Sequence, residues 1–94
     1  MKIVEIIWLP HIVDKCAGKH DVWPDEVEEM FDNMPHIHFV EEGHTPGEDV
    51  YAALGQTDSG RFLVAFFVYK GKGTALIISA RPMTPTERKR YEKE

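Results

Sequence analysis

The spacing of apolar residues predicts two helices in the first third of the chain. A segment that opens at Pro10 places Ile12, Val13, Cys16, Ala17 and His20 on one helical face. A second segment, WPDEVEEMFDNM (23–34), has apolar residues at the i, i+3, i+4, i+7 spacing of a core-facing helix: Val27, Met30, Phe31 and Met34. Pro24 suits the first helical position, and the acidic residues after it favour the positive end of the helix dipole.

After Pro35 the spacing shortens toward the period of two that is typical of strands. We predict strands at VYAALG (50–55), RFLVAFFVY (61–69) and TALIISA (74–80), joined by the turns QTDSG and KGKG. IHFV (37–40) is a candidate edge strand, and the β-branched run IVEIIWL (3–9) predicts a strand before the helices. The segment EEGHTPGED (41–49) is rich in glycine, proline and acidic residues, which indicates a loop.

A third helix is predicted near the end of the chain by the capping box TPTE. Thr84 caps the helix, Pro85 takes the first position, and Glu87 takes the third. The element order is therefore β-α-α-β-β-β-β-α. It predicts an α+β fold in a single domain, residues 1–94, in which two N-terminal helices and one C-terminal helix pack on an antiparallel sheet of about four to five strands.

Composition narrows the range of functions. The 94 residues carry a net charge of −5, so the chain lacks the overall basic character of many nucleic-acid-binding proteins, and RNA binding would need a local basic cluster. There is no apolar run long enough to span a membrane, and the opening MKIVEIIWLP has no signal-peptide pattern. A lone cysteine, Cys16, forms no internal disulfide, so we expect a cytoplasmic protein.

Arginines gather where the last predicted strands end. Pairing the strands about the KGKG turn places Arg61 diagonally beside Arg81, and Arg88 and Tyr91 follow on one face of the last helix. Two or three guanidinium groups at a sheet end form a candidate phosphate clamp. The alternative is that these arginines face water or pair with some of the 16 acidic residues.

The remaining chemistry-bearing residues are histidines and the cysteine. His20, beside Lys19 at the end of the first helix, is a candidate acid–base group or, alternatively, a favourable partner of the helix C-terminus. His36, His38 and His44 lack a fourth ligand at a recognised spacing, so we predict no metal site. Cys16 lies on an apolar face and is expected in the core rather than as a nucleophile.

Seven short segments occur in the order that is typical of BrnT-type toxins, and the chain resembles that family over nearly its whole length. The segments are KHDV (19–22), DEVEEMF (25–31), GED (47–49), ALG (53–55), GRFLVAFF (60–67), IISAR (77–81) and ERKRYE (87–92). The resemblance implies a RelE-like ribonuclease fold and the toxin role in a type II toxin–antitoxin system. The implied partner is a BrnA-like antitoxin that contains a DNA-binding ribbon-helix-helix part. The toxin–antitoxin pair would contact operator DNA only through this part of the antitoxin.

The resemblance also implies a reaction and its residues. RNA would be cleaved without metal or other cofactor by attack of a ribose 2′-hydroxyl on the adjacent phosphate, which would inhibit translation, either on free RNA or on the ribosome. His20 and Lys19 would carry acid–base work, Arg61 and Arg81 would hold the phosphate, and Arg88 and Tyr91 would support the RNA. Val50 stands where the family has an arginine. A catalytically degenerate binding module or corepressor is therefore the alternative.

Overall fold

A computed structural model describes residues 1–94 and contains five strands and three helices. In chain order they are β1 (Glu5–Ile7), α1 (Pro10–His20), α2 (Pro24–Asp32), β2 (His36–Glu41), β3 (Val50–Gln56), β4 (Phe62–Tyr69), β5 (Thr74–Pro82) and α3 (Pro85–Lys93). The predicted order and the α+β class are confirmed. None of the three helices has the length and apolar character that crossing a membrane requires.

The five strands form one mixed sheet in the order β1-β5-β4-β3-β2. The strands β2 to β5 form the expected antiparallel meander, whereas β1 is shorter than its apolar run and pairs with β5 in parallel. The carbonyl of Gly73 accepts hydrogen bonds from the Val4 and Glu5 amides, at 2.8 and 3.1 Å, and thereby guides the N-terminal segment alongside β5.

One face of the sheet carries the main core under α1 and α2. Leu63, Ala65 and Phe67 alternate along β4 and are buried in one cluster with residues of both helices, including Cys16 and Met30. Cys16 is fully buried, so its predicted place in the core is confirmed. Since strand neighbours point to opposite faces, Phe62, Val64 and Phe66 belong to the other face.

The helix α3 lies over this second face. Its capping box forms as predicted: the Glu87 amide donates to Thr84 Oγ1 at 3.2 Å, and the Thr84 amide donates to Glu87 Oε1 at 2.8 Å. No residue of α3 is buried, and the helix is attached by charged and aromatic side chains rather than by an apolar stripe.

The predicted neighbourhood of Arg61 and Arg81 is wrong. A bulge between Phe66 and Phe67 shifts the register of β4 on β5, so that Val64 lies opposite Arg81. Arg61 precedes β4 by one residue and is three positions from Val64, so its side chain points to the opposite face of the sheet. The bulge was not visible in the sequence because the residues around it are apolar apart from Ser79.

Candidate functional site

Arg81, at the end of β5, holds the carboxylate of Glu87 with two parallel hydrogen bonds. Nη1 donates to Oε1 at 2.8 Å and Nη2 donates to Oε2 at 2.9 Å. The Arg81 hydrogen bonds lower the pKa of Glu87 to about 2 against an opposing effect of burial, with a smaller contribution from the Thr84 cap. The same hydrogen bonds raise the pKa of Arg81. The guanidinium is thus oriented for an anion with two oxygens.

Arg88 and Tyr91 join this face through Phe62. The Arg88 guanidinium carbon lies 3.9 Å above the Phe62 ring centre, and the Tyr91 ring meets Phe62 edge-on with centroids 6.0 Å apart. Arg81 lies 5.5 Å from the centre of the Phe66 ring. The aromatic rings of β4 therefore hold the two arginines by cation–π contact. Of the predicted site residues, Arg81, Arg88 and Tyr91 come together here.

The register of the sheet extends this face to two histidines of the edge strand. One row across four strands reads His36, Leu54, Val64 and Arg81. The next row reads His38, Ala52, Phe66 and Ser79. Residues directly opposite each other share a face, so both histidines project toward α3, on the side of Arg81.

Glu94, which follows α3, meets both histidines. Its Oε1 lies 3.2 Å from His38 Nε2 and 3.7 Å from His36 Nδ1. The His36 ring packs on Tyr91 with centroids 4.6 Å apart, and its Nδ1 is buried without a hydrogen bond. A cavity of about 370 Å³ opens between β2 and α3, lined by His38, Phe39, Leu54, Glu87, Arg90 and Glu94.

The other predicted site residues lie on the α1–α2 side. Arg61 Nη1 donates to both carboxylate oxygens of Glu26 at 2.9 Å and to the Asp21 carbonyl at 2.8 Å. This contact places Arg61 next to the end of α1, where Lys19 and His20 lie. The depression around Arg61 is lined by Asp21, Trp23, Asp25 and Glu26, so its wall is mainly acidic.

The six predicted residues thus form two groups rather than one. Lys19, His20 and Arg61 lie by the end of α1, whereas Arg81, Arg88 and Tyr91 lie under α3. The sequence reasoning missed His38 and Glu94 as members of a cavity. The alternation of His36 and His38 on an edge strand was the available signal for the histidines, but nothing marked Glu94. No group of three His, Cys, Asp or Glu side chains is arranged to hold a metal ion.

Comparisons with known proteins identify the family. The family model described as "Ribonuclease toxin, BrnT, of type II toxin-antitoxin system" matches residues 8–87. The crystal structure of the Brucella abortus ribonuclease toxin BrnT is similar with a TM-score of 0.63 and 16% identity, over 86% of this chain and 97% of that chain. No curated protein matches the chain. Because the family model spans most of its length, the chain belongs to the BrnT family of ribonuclease toxins of type II toxin–antitoxin systems.

Proposed function

We propose that this chain acts in the cytoplasm, as one domain over residues 1–94, as a metal-independent endoribonuclease that inhibits translation. Its activity would be neutralised by a BrnA-like ribbon-helix-helix antitoxin, and operator DNA would be bound only through that partner. Besides the family, the observation that carries this proposal is the pair of hydrogen bonds that Arg81 donates to the two carboxylate oxygens of Glu87. An RNA phosphate presents the same pair of oxygens as a carboxylate does.

The proposed reaction needs a base, an acid and positive charge. The base removes the proton of a ribose 2′-hydroxyl, whose oxygen forms a bond to the adjacent phosphorus while the bond from phosphorus to the 5′ oxygen breaks. The products are a 2′,3′-cyclic phosphate and a 5′-hydroxyl that has taken up a proton. Guanidinium groups stabilise the charge that builds on the phosphoryl oxygens in the transition state.

The two groups of arginines cannot serve one phosphate from opposite faces of the sheet. We assign phosphate binding to Arg81, with Arg88 and Tyr91 supporting the RNA beside Phe62. Lys19, His20 and Arg61 remain proposed acid–base and phosphate-binding residues of a second contact region near the end of α1. Single variants in each group decide between the two regions.

The test is cleavage of total RNA by the purified, antitoxin-free protein in the presence of EDTA. We expect cleavage by the wild type, a loss of activity in Arg81→Ala, and wild-type activity in Lys89→Ala, an exposed neighbour on α3. Arg61→Ala and His20→Ala report on the second region. Expression of the wild type without antitoxin should arrest growth, and coexpression of the antitoxin should restore it. A wild type that cleaves neither free RNA nor RNA on ribosomes contradicts the proposal.

A binding module without catalysis is the second candidate, and one observation favours it. Both Arg61 and Arg81 are already paired with carboxylates of their own chain, Glu26 and Glu87. Under this alternative the arginines stabilise the fold, and the chain would act as a corepressor with its antitoxin. Harmless expression, together with operator binding by the antitoxin that strengthens when this chain is added, would support it.

A further inference from the structure

Arg90 differs from the other three arginines of the chain. Arg61, Arg81 and Arg88 each form an ion pair with a glutamate, whereas Arg90 forms none. Arg90 lies on the wall of the cavity between β2 and α3, which it shares with His38 and Glu94. An arginine without an internal partner remains available to an anion that enters the cavity.

The contact between His38 and Glu94 leaves one ring nitrogen of the histidine available. Nε2 lies 3.2 Å from Glu94 Oε1, and the charge of this carboxylate favours the tautomer that carries its hydrogen on Nε2. The other nitrogen, Nδ1, then carries the lone pair that can accept a proton. A carboxylate that fixes the tautomer of a histidine is a recurring device of acid–base sites. The side chain of His38 is 48% exposed, so a substrate can reach it.

The rest of the cavity suits a short piece of RNA. Its volume of about 370 Å³ lies within the range of small-ligand sites. Leu54 adds an apolar side chain to the lining.

We propose that RNA is cleaved in this cavity, with His38 as the general base, Arg90 as the group that holds the scissile phosphate, and Glu94 as the positioning residue of His38. The inference rests on the proposed ribonuclease function and names its site and acid–base group. It differs from the assignment of acid–base work to His20, which lies at the end of α1. Arg81, which is bound to the cavity-lining Glu87, then binds a neighbouring phosphate of the RNA.

His38 and water account for every proton that moves in this step. His38 Nδ1 takes the 2′-hydroxyl proton, and the freed electron pair forms the new bond to phosphorus. The electron pair of the broken bond leaves with the 5′ oxygen, which takes a proton from water. The imidazolium returns its proton to the hydroxide that remains. Glu94 keeps its charge throughout and stabilises the imidazolium.

The charged groups around His38 come from its own strand, from α3 and from the residue that follows α3. They are His36, Glu87, Arg90 and Glu94, while the facing strand β3 contributes the uncharged Ala52 and Leu54. A general base reacts only in its unprotonated form, so a histidine base should make the cleavage rate rise with pH up to a plateau.

The test compares the cleavage rates of the wild type, His38→Ala and the control His11→Ala, whose histidine is exposed on α1. At saturating RNA we expect His38→Ala to lower the rate by about 100- to 10,000-fold, to lose the acidic limb of the pH profile, and to be rescued partly by added imidazole. Glu94→Gln should shift that limb. Arg90→Ala should raise KM, and Arg90→Lys should recover part of the loss. Melting curves of each variant exclude unfolding as the cause.

The outcomes separate this inference from the function on which it rests. If the wild type cleaves RNA and folded His38→Ala cleaves it equally well with an unchanged pH profile, the site assignment is wrong and the ribonuclease function stands. If His20→Ala alone abolishes the acidic limb, the base lies at the end of α1 and the assignment again fails. If the wild type cleaves no RNA, the proposed function fails and this inference fails with it.

Discussion

Glu87 binds Arg81 through both carboxylate oxygens while it also caps α3, because its Oε1 accepts from the Thr84 amide at 2.8 Å and from Arg81 Nη1 at 2.8 Å. A single side chain thus starts the helix and attaches it to the end of β5. The same carboxylate is bound to the Arg81 guanidinium, which we propose as a ligand of the RNA phosphate. Helix attachment and anion binding therefore compete for one group, which gives the pair measurable effects on both stability and RNA affinity.

The stability of the fold should fall in acid through Glu87. Its pKa is lowered from 4.5 to about 2, so the unfolded chain binds the proton more readily than the folded chain. The contribution is therefore present above about pH 5 and is lost as the pH falls toward 2. Because the side chains of both partners stay partly in water, we expect it to be about 1 to 2 kcal/mol. Urea unfolding of the wild type and Glu87→Gln at several pH values measures it. The two stabilities should converge at the acidic end, and a gap that stays constant would contradict the assignment.

Loss of the Glu87 charge should raise the affinity for RNA, although it lowers the stability of the fold. Glu87→Gln removes the negative charge from Arg81 while leaving an amide oxygen for the Thr84 cap. The freed guanidinium should bind one more phosphate, so the affinity for single-stranded RNA should increase. The dependence of that affinity on salt should also become steeper, by about one unit in the logarithmic slope. Glu28→Gln is the matched control, because it removes the same charge from an exposed position of α2 that forms no ion pair with an arginine. If the two variants bind RNA alike, Arg81 is not a phosphate ligand.

Sequence patterns predicted the elements of this fold well because its strands and helices have clear periods. The capping box at Thr84 formed as expected, and Cys16 went to the core. The register of β4 on β5 was not predictable, since the residues at the bulge after Phe66 are apolar apart from Ser79 and fit either alignment. One residue of slip reverses the face of a side chain, and this separated Arg61 from Arg81. Glu94 was missed because its contact with His38 depends on how α3 lies across the sheet.

The ion pair between Arg61 and Glu26 should contribute to stability. Glu26 also accepts a hydrogen bond from the Trp23 amide at 3.1 Å and so fixes the start of α2. A double-mutant cycle of Arg61→Ala and Glu26→Ala should give a coupling energy of about 1 kcal/mol, since both side chains are partly shielded from water. The cycle is measured by urea unfolding. Additive effects of the two substitutions would mean that the pair contributes nothing and leave Arg61 free for another role.

Two glycines should respond to alanine with opposite signs. Gly73 has a φ of +80°, and a Cβ built on it would lie 2.7 Å from Val4 Cγ2, where the N-terminal segment joins β5. We expect Gly73→Ala to destabilise the protein by about 1 to 3 kcal/mol through backbone strain and this clash. Gly18 lies in α1 with no atom within 4 Å of an added Cβ. Gly18→Ala should therefore stabilise the protein by about 0.5 to 1 kcal/mol through helix propensity. Thermal and urea unfolding of both variants measures the difference. Equal stability of the two would contradict the described path of the chain into β1, because that path requires a residue without a side chain at position 73.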